Sequence, residues 1–119
     1  MIRCPTEDIE QITVADWLRA KKILFHHGNR KGQRKVQHIM KEARLGSSKG
    51  FPDLLIFDRP PLYPSCSGIA IEMKRVKGGK LDPAQGLWLN SLAERGWIIH
   101  VAKGANDAIR FLEGLGYGR

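Results

Sequence analysis

Asp53, Glu72 and Lys74 are the side chains of this sequence whose types and spacing can do chemistry together. Pro52-Asp53 opens the apolar run Leu54-Leu55-Ile56-Phe57, and Glu72-Met73-Lys74 closes the run Gly68-Ile69-Ala70-Ile71. Paired as antiparallel strands, the two runs bring the start of the first beside the end of the second. Residues two apart in a strand share a face, so Glu72 and Lys74 point together while Ile69, Ile71 and Met73 point into a core. Opposed or diagonal side chains lie about 4.5–8 Å apart at Cβ. Asp53 and Glu72 can therefore converge on one Mg²⁺, or on Mn²⁺ in its place. Such a hard cation takes oxygen ligands and keeps waters, which leaves room for a phosphate. It polarises a phosphoryl oxygen and acidifies a bound water, and Lys74 is suited to orient that water and offset developing charge. The chemistry implied is metal-dependent hydrolysis of a phosphodiester. Each half of the pattern alone is more often solvated surface or a turn dipeptide; the pattern gains meaning from the two halves meeting across one hairpin.

The charge of the chain agrees with such a substrate. The 119 residues carry a formal net charge of +8. Between Lys21 and Gly50 lie nine basic residues (Lys21, Lys22, Arg30, Lys31, Arg34, Lys35, Lys41, Arg44 and Lys49) against the single acid Glu42, which equals the whole excess. A concentrated basic stretch faces a polyanion, the alternative being a solvated helix face. Asn29, Arg30, Lys31, Arg34, Lys35 and Lys49 are the candidate nucleic-acid contacts, and the cations among them would neutralise backbone phosphates and impart salt dependence without reading bases. The stretch lacks a companion apolar face with Trp or Phe, so no membrane partner is expected. No apolar run approaches the roughly 20 residues of a spanning helix, and acidic residues follow Met1–Pro5 where a signal peptide would be apolar. Cys4 and Cys66 have no zinc-knuckle neighbours and read as reduced thiols of a cytoplasmic protein, in the host cytoplasm if the chain is viral.

The elements that must position these groups form one domain, residues 1–119. Thr6 caps a first helix that runs to about Arg19, with Glu7 and Asp8 in its positive first turn and Ile9, Ile12, Trp17 and Leu18 as its apolar side. Ile23-Leu24-Phe25 is a short strand, residues 28–32 a loop, and a basic helix follows to about Leu45 with Val36, Ile39, Met40 and Ala43 inward. Asp53–Phe57 and Gly68–Lys74 are strands joined by a proline-rich excursion, Arg59–Ser65. Asp82-Pro83 starts a helix that ends at Gly96. Trp97–Ala102 is a strand and Asn106–Leu115 a last helix. The result is a small α/β domain with a mixed sheet. Trp17, Trp88 and Trp97 are expected in the core. His26 and His27 alternate across a strand and cannot both reach one site, and His38 and His100 have no partners at metal-ligand spacing.

On these residues the sequence resembles the PD-(D/E)XK nucleases, and within them the VRR-NUC family. The resemblance spans most of the chain. It runs through Glu7-x-x-x-Gln11, His27-Gly28-Asn29, Gly50-Phe51-Pro52-Asp53-Leu54-Leu55-Ile56 and Ile71-Glu72-Met73-Lys74. It continues in Gly79-Lys80-Leu81-Asp82-Pro83-Ala84-Gln85, Trp88-Leu89 and Asn106-Asp107-Ala108. It implies a restriction-endonuclease-like domain, a central mixed β-sheet flanked by helices, that hydrolyses DNA with Mg²⁺. By position, Asp53 and Glu72 would be metal ligands with the Met73 backbone carbonyl as a third, and Lys74 the catalytic lysine. Glu7 corresponds to a first-helix acid that helps build the metal site; Glu10, one turn on, is the alternate. Gln85 corresponds to a glutamine at the start of the helix after the hairpin, although Asp82-x-x-Gln85 is also capping-box spacing. Small stand-alone members, of virus or phage type, resemble Holliday-junction resolvases and act as homodimers on branched or four-way DNA.

The leading expectation is thus a homodimeric structure-specific endonuclease. A nicking, flap-cutting or restriction-like DNase of broader taste is the nearest alternative. A DNA-binding accessory module whose hairpin end is only structural is a third, weakened because binding alone does not need two acids crowded beside DNA.

Overall fold

The computed structural model describes residues 6–28, 41, 44–46 and 49–118. The expected basic helix with its stripe Val36, Ile39, Met40 and Ala43, and the candidate contacts Asn29, Arg30, Lys31, Arg34 and Lys35, lie outside the described residues. Seven elements are described: α1 (Glu7–Ala20), β1 (Phe25–His27), β2 (Leu54–Ile56), β3 (Gly68–Lys74), α2 (Pro83–Ala93), β4 (Trp97–Lys103) and α3 (Ala105–Gly114). They build a mixed α/β fold in which a sheet of order β1-β2-β3-β4 is flanked by helices. β1 and β2, and β2 and β3, pair antiparallel; β3 and β4 pair parallel, joined by the crossover helix α2. No helix among the described residues is long and apolar enough to cross a membrane.

β3 is the centre of the molecule, and all seven of its residues are buried. Its two faces serve different layers. Ile69, Ile71 and Met73 join Leu54, Ile56, Val14, Leu18, Ala108 and Leu112 in the main core, which α1 and α3 cover. Ala70, Glu72 and Lys74 alternate to the opposite face, where Glu72 meets Gln85 of α2. The apolar layer is where burial drives folding, at about 25 cal/mol per Å² of apolar surface.

Two expectations for the first elements are corrected. The buried stripe of α1 is Glu10, Gln11, Val14 and Leu18, whereas Ile9 and Ile12 are exposed. At 3.6 residues per turn, Gln11, Val14 and Leu18 stack on one side and the two isoleucines fall away from it. The short strand is Phe25–His27 rather than Ile23–Phe25. Ile23 N–H still donates to Leu18 of the helix end at 3.0 Å, after a left-handed Lys22 (φ 58°), so Ile23 has not yet left the turn. The ladder is approached at Leu24, whose carbonyl accepts from Phe57 N–H at 2.9 Å and whose N–H donates to Asp58 Oδ2 at 2.7 Å.

The proline-rich excursion after β2 is an anchored loop. Leu62 N–H donates to Leu115 O at 3.1 Å, and the buried Tyr117 hydroxyl donates to Asp58 O. Burial pushes the Tyr117 phenol up from its ordinary range, with Cys66 and Asp58 adding to the shift.

Candidate active site

The β2–β3 register sets Leu54 against Ile71, which by continuation sets Asp53 against Glu72. Both carboxylates are fully buried. Asp53 stands one residue ahead of β2, and its carbonyl accepts from Gly28 N–H at 2.9 Å, which extends the β1–β2 ladder to the site. Its carboxylate crosses to β3 and accepts the Met73 N–H at Oδ2, 2.8 Å away. This bond fixes Asp53 over the main chain between Glu72 and Lys74.

Glu72 is held by side chains from two directions. Gln85 Nε2 donates to its Oε1 at 2.6 Å, and Lys74 Nζ stands 3.7 Å from the same oxygen. Lys74 is itself buried. Burying a charge is costly unless it is paired and hydrogen-bonded, and here the ammonium and the amide share that task for one carboxylate.

Gln85 makes two side-chain contacts at once. Its Oε1 accepts the Asp82 N–H at 2.9 Å and closes a capping box, while its Nε2 reaches Glu72. One amide therefore ties the first turn of α2 to the acid of β3. Asp82 accepts the Ala84 N–H at 2.7 Å. That backbone bond holds the Asp82 carboxyl below its ordinary range against some desolvation, helped by Lys49 and Lys74. Lys49, the described member of the expected DNA contacts, is exposed, with Nζ 3.6 Å from Asp82 Oδ2. It stands at the mouth of the α2 turn.

The segment leading into Asp53 is pressed against the same turn. Gly50 has φ +89°, and a Cβ there would lie 2.5 Å from the Ala84 carbonyl carbon, so only glycine fits. Phe51 then packs edge-on against Trp88, ring centroids 4.9 Å apart. Gly50-Phe51-Pro52 is thus a fixed approach that delivers Asp53 to the end of β3.

The two first-helix acids are separated by their surroundings. Glu10 is buried and its Oε2 accepts the Ala105 N–H, at the start of α3. Gly104, the N-cap of that helix, has no side chain to do this; its φ is +87°, and a Cβ on it would sit 2.7 Å from Val76 Cγ2 and 3.3 Å from Glu10 Oε2. Gly104 N–H donates to Lys74 O at 2.9 Å, so α3 is bolted to the end of β3. Glu7 is half-buried, one turn nearer the start of α1. Sequence reasoning missed the Glu10 cap. Its signal was a helix start at Gly104-Ala105 with no capping oxygen of its own.

A second missed group is His100, whose ring stacks on Phe111 at 4.0 Å and whose Nε2 lies 2.9 Å from Asp107 Oδ1. Asp107 Oδ2 accepts the Lys103 N–H at 2.7 Å. Desolvation raises the Asp107 carboxyl, but the Lys103 amide and His100 outweigh it and leave it below the ordinary range. His26 and His27 are exposed on β1; Trp17, Trp88 and Trp97 are half-buried, and of the three Trp17 packs against the main core.

Among the described residues, no group of three or more His, Cys, Asp or Glu side chains is placed to hold a metal ion. The donor set at the hairpin end is smaller and harder: two carboxylates and main-chain oxygen. Mg²⁺ is commonly held by one or two carboxylates, with waters and substrate phosphate completing its shell. The residues present fit such an ion.

A buried acid and lysine on the central strand of a mixed sheet, a second buried acid at the head of the neighbouring strand and a crossover helix latched to the first acid make up a PD-(D/E)XK-like nuclease fold. The family model for the VRR-NUC domain matches residues 6–106. The chain belongs to the VRR-NUC family of nucleases. A solved structure described as a VRR_NUC domain protein is similar to it with TM-score 0.78 and 27% identity, over 96% of this chain and 90% of that one. No curated protein matches the chain.

Proposed function

We propose that this nuclease is a divalent-metal-dependent endonuclease for branched DNA, acting as a homodimer on four-way junctions, with Asp53, Glu72 and Lys74 as its catalytic set. The observation that carries the reading is the buried Glu72 carboxylate, flanked by Lys74 Nζ at 3.7 Å and Gln85 Nε2 at 2.6 Å, with Asp53 opposite it in the ladder.

Asp53, Glu72 and the Met73 carbonyl would hold Mg²⁺ or Mn²⁺. Bound there, the ion would supply Lewis acidity toward a phosphoryl oxygen and acidify a coordinated water. The chain's own residues do the rest. Lys74 holds its protons at Nζ beside Glu72, where they can donate to an attacking water or to an oxygen gaining charge in the transition state. Gln85 keeps Glu72 from rotating, and the Met73 amide does the same for Asp53, so neither acid has to be ordered when substrate arrives. Glu7 is the first-helix acid of this scheme by its place in the first turn of α1, while Glu10 caps α3 at Ala105. Lys49 and the basic stretch from Lys21 to Gly50 supply phosphate contacts. A four-way junction has two symmetric scissile strands, and a two-fold dimer presents two sites in matching geometry.

The test is incubation with end-labelled four-way junction, splayed arm, flap and plain duplex, in Mg²⁺ or in EDTA. Paired symmetric cuts confined to the junction, and only with Mg²⁺, support the proposal. Cutting of every substrate replaces it with a broader DNase. Binding with no cleavage under either Mg²⁺ or Mn²⁺ reduces the chain to a DNA-binding module.

A further inference from the structure

A second basic stretch, apart in sequence from Lys21–Gly50, leads out of the site itself. From Met73 to Leu81 the chain carries four cations, Lys74, Arg75, Lys77 and Lys80, and no acid. Lys74 is buried beside Glu72, whereas Arg75, Lys77 and Lys80 are exposed on the loop between β3 and α2. Two close approaches fix where this loop lies. Val76 rests on the start of α3, since a Cβ on Gly104 would sit 2.7 Å from its Cγ2. The far half folds back onto the site: a Cβ on Gly79 would lie 2.9 Å from Lys74 Cβ, so bare backbone packs against the lysine stem. Asp82 then opens α2, and Gln85 reaches Glu72. The loop therefore leaves the site at Lys74 and re-enters it at Gln85, with its cations in between.

β4 adds an exposed cation on the same side. Lys103 is the register partner of Lys74 in the parallel pair. The partners just before them, Met73 and Ala102, both belong to the main core. Alternation turns Lys74 and Lys103 to the opposite face, the one that carries Glu72. Neighbouring strands lie about 4.8 Å apart, so exposed Lys103 stands one strand over from buried Lys74 and level with it.

The fold makes no use of these charges. Among the described residues, Arg75, Lys77, Lys80 and Lys103 form no ion pair. The acids that border them are engaged, Asp82 by the Ala84 N–H and Lys49, Asp107 by the Lys103 N–H and His100. Like charges grouped without acids repel, and a polyanion offsets that repulsion. Cations divided between a loop and a neighbouring strand suit a row of phosphates better than a single anion. Successive phosphates of one duplex strand advance about 3.4 Å along the axis, of the same order as the strand spacing. With the scissile phosphate at Glu72 and Lys74, its neighbours come within reach of Lys103 and the loop.

We infer that the β3–α2 loop and the end of β4 form a backbone-binding surface for the strand being cut, on which Arg75, Lys77, Lys80 and Lys103 take the phosphates that flank the scissile one. The inference rests on the reading of the chain as a DNA nuclease and adds to it a second set of phosphate contacts, built into the catalytic end of the sheet.

The experiment is fluorescence anisotropy with duplex and four-way-junction DNA in EDTA, where no cleavage occurs, repeated from about 50 to 200 mM KCl. It compares two exposed pairs, Arg75→Ala/Lys77→Ala and Lys80→Ala/Lys103→Ala, with a charge-matched pair at the opposite end of the sheet, Arg59→Ala/Arg95→Ala. Each of the first two pairs should weaken binding to both DNAs and flatten the slope of log affinity against log salt by about 1 per residue removed. The matched pair should leave the slope as in wild type. A second measurement locates the contact, once the cut has been mapped in Mg²⁺. One neutral methylphosphonate beside the scissile phosphate should weaken wild-type binding and should not weaken Lys80→Ala/Lys103→Ala further, as for two groups that share one contact. Slopes that fall equally in all three pairs, or in none, overturn the inference and return these cations to a solvated surface; so does a methylphosphonate loss that simply adds to that of the variant. Mg²⁺-dependent cleavage with unmoved slopes would sink the surface and spare the nuclease reading. Flattened slopes in a protein that cuts nothing would do the reverse.

Discussion

Two buried carboxylates, Glu72 and Glu10, each lie near the start of a helix, yet they are held in opposite ways. Glu10 is closed by main chain: it accepts the Ala105 N–H, and Gly104 is clamped to Lys74 O beside it. Glu72 is closed by side chains, the amide of Gln85 and the ammonium of Lys74. A backbone amide at a helix start cannot move without unravelling the helix, so the α1–α3 junction is a fastener. The Lys74 ammonium, on a flexible side chain, can re-aim toward a substrate while Gln85 keeps Glu72 in place, so the β3–α2 junction can be worked. Burial and charge are alike in these two glutamates; the partners differ, a helix-start amide for one and two side chains for the other.

That difference can be broken or sharpened by substitution. The largest effect is expected at Lys74. Lys74→Ala should lower the single-turnover cleavage rate roughly 10²–10³-fold while DNA affinity stays within about twofold, measured by anisotropy. A parallel loss of binding would mean that Lys74 anchors DNA rather than acting on it. Gln85→Ala comes next, because it cuts the latch on Glu72 and opens the capping box together. Cleavage should drop about 10–100-fold, as for groups that orient metal ligands, and stability by about 1 kcal/mol. A variant with normal cleavage and only the stability loss would return Gln85 to a pure cap.

Glu10→Ala is the contrasting case. Loss of a buried charged hydrogen bond should cost about 2 kcal/mol in urea unfolding, with cleavage per folded molecule kept. If cleavage vanished instead and Glu7→Ala were harmless, the roles of the two acids would have to be exchanged. The smallest effect belongs to Asp107. Its folded pKa lies below the ordinary carboxylate value, so its stabilisation is fully present above that value, about 3.9, and is lost as pH falls through the folded one. Asp107→Asn should therefore lower the melting temperature by a few degrees at pH 7, and the two melting curves should converge as the pH falls through the folded Asp107 value. A constant gap across that range would exclude the carboxylate as the cause.

Much of the β3–α2 junction was legible because its signals are local. Pro52-Asp53 before one apolar run and Glu72-Met73-Lys74 after the next give the antiparallel pairing, and Asp82-Pro83 announces the start of α2. The sequence could not choose between a helix cap and a reach toward Glu72 for Gln85, since that choice depended on whether the turn of α2 lands on β3; both contacts form. The α1–α3 junction was illegible for the opposite reason. Its cap joins residues 95 apart in the chain, Glu10 and Ala105, and no local pattern announces such a pairing. The same blindness put Ile9 and Ile12 inward: hydrophobicity suggested a face, but α3 and β3 demanded the one that carries Gln11, Val14 and Leu18. The strand at Phe25 was displaced by two residues because the left-handed Lys22 and the Ile23–Leu18 bond prolong the helix exit, which apolar content alone does not reveal.

The measurement that tests the central claim most directly is titration of the full chain with Mn²⁺, followed by electron paramagnetic resonance of the free ion. Wild-type protein should remove Mn²⁺ from solution at a site lost in both Asp53→Asn and Glu72→Gln and retained in Glu10→Gln. Undiminished Mn²⁺ uptake by the Asp53 and Glu72 variants would contradict the account, because the two acids would then not share the cation on which the proposed chemistry depends.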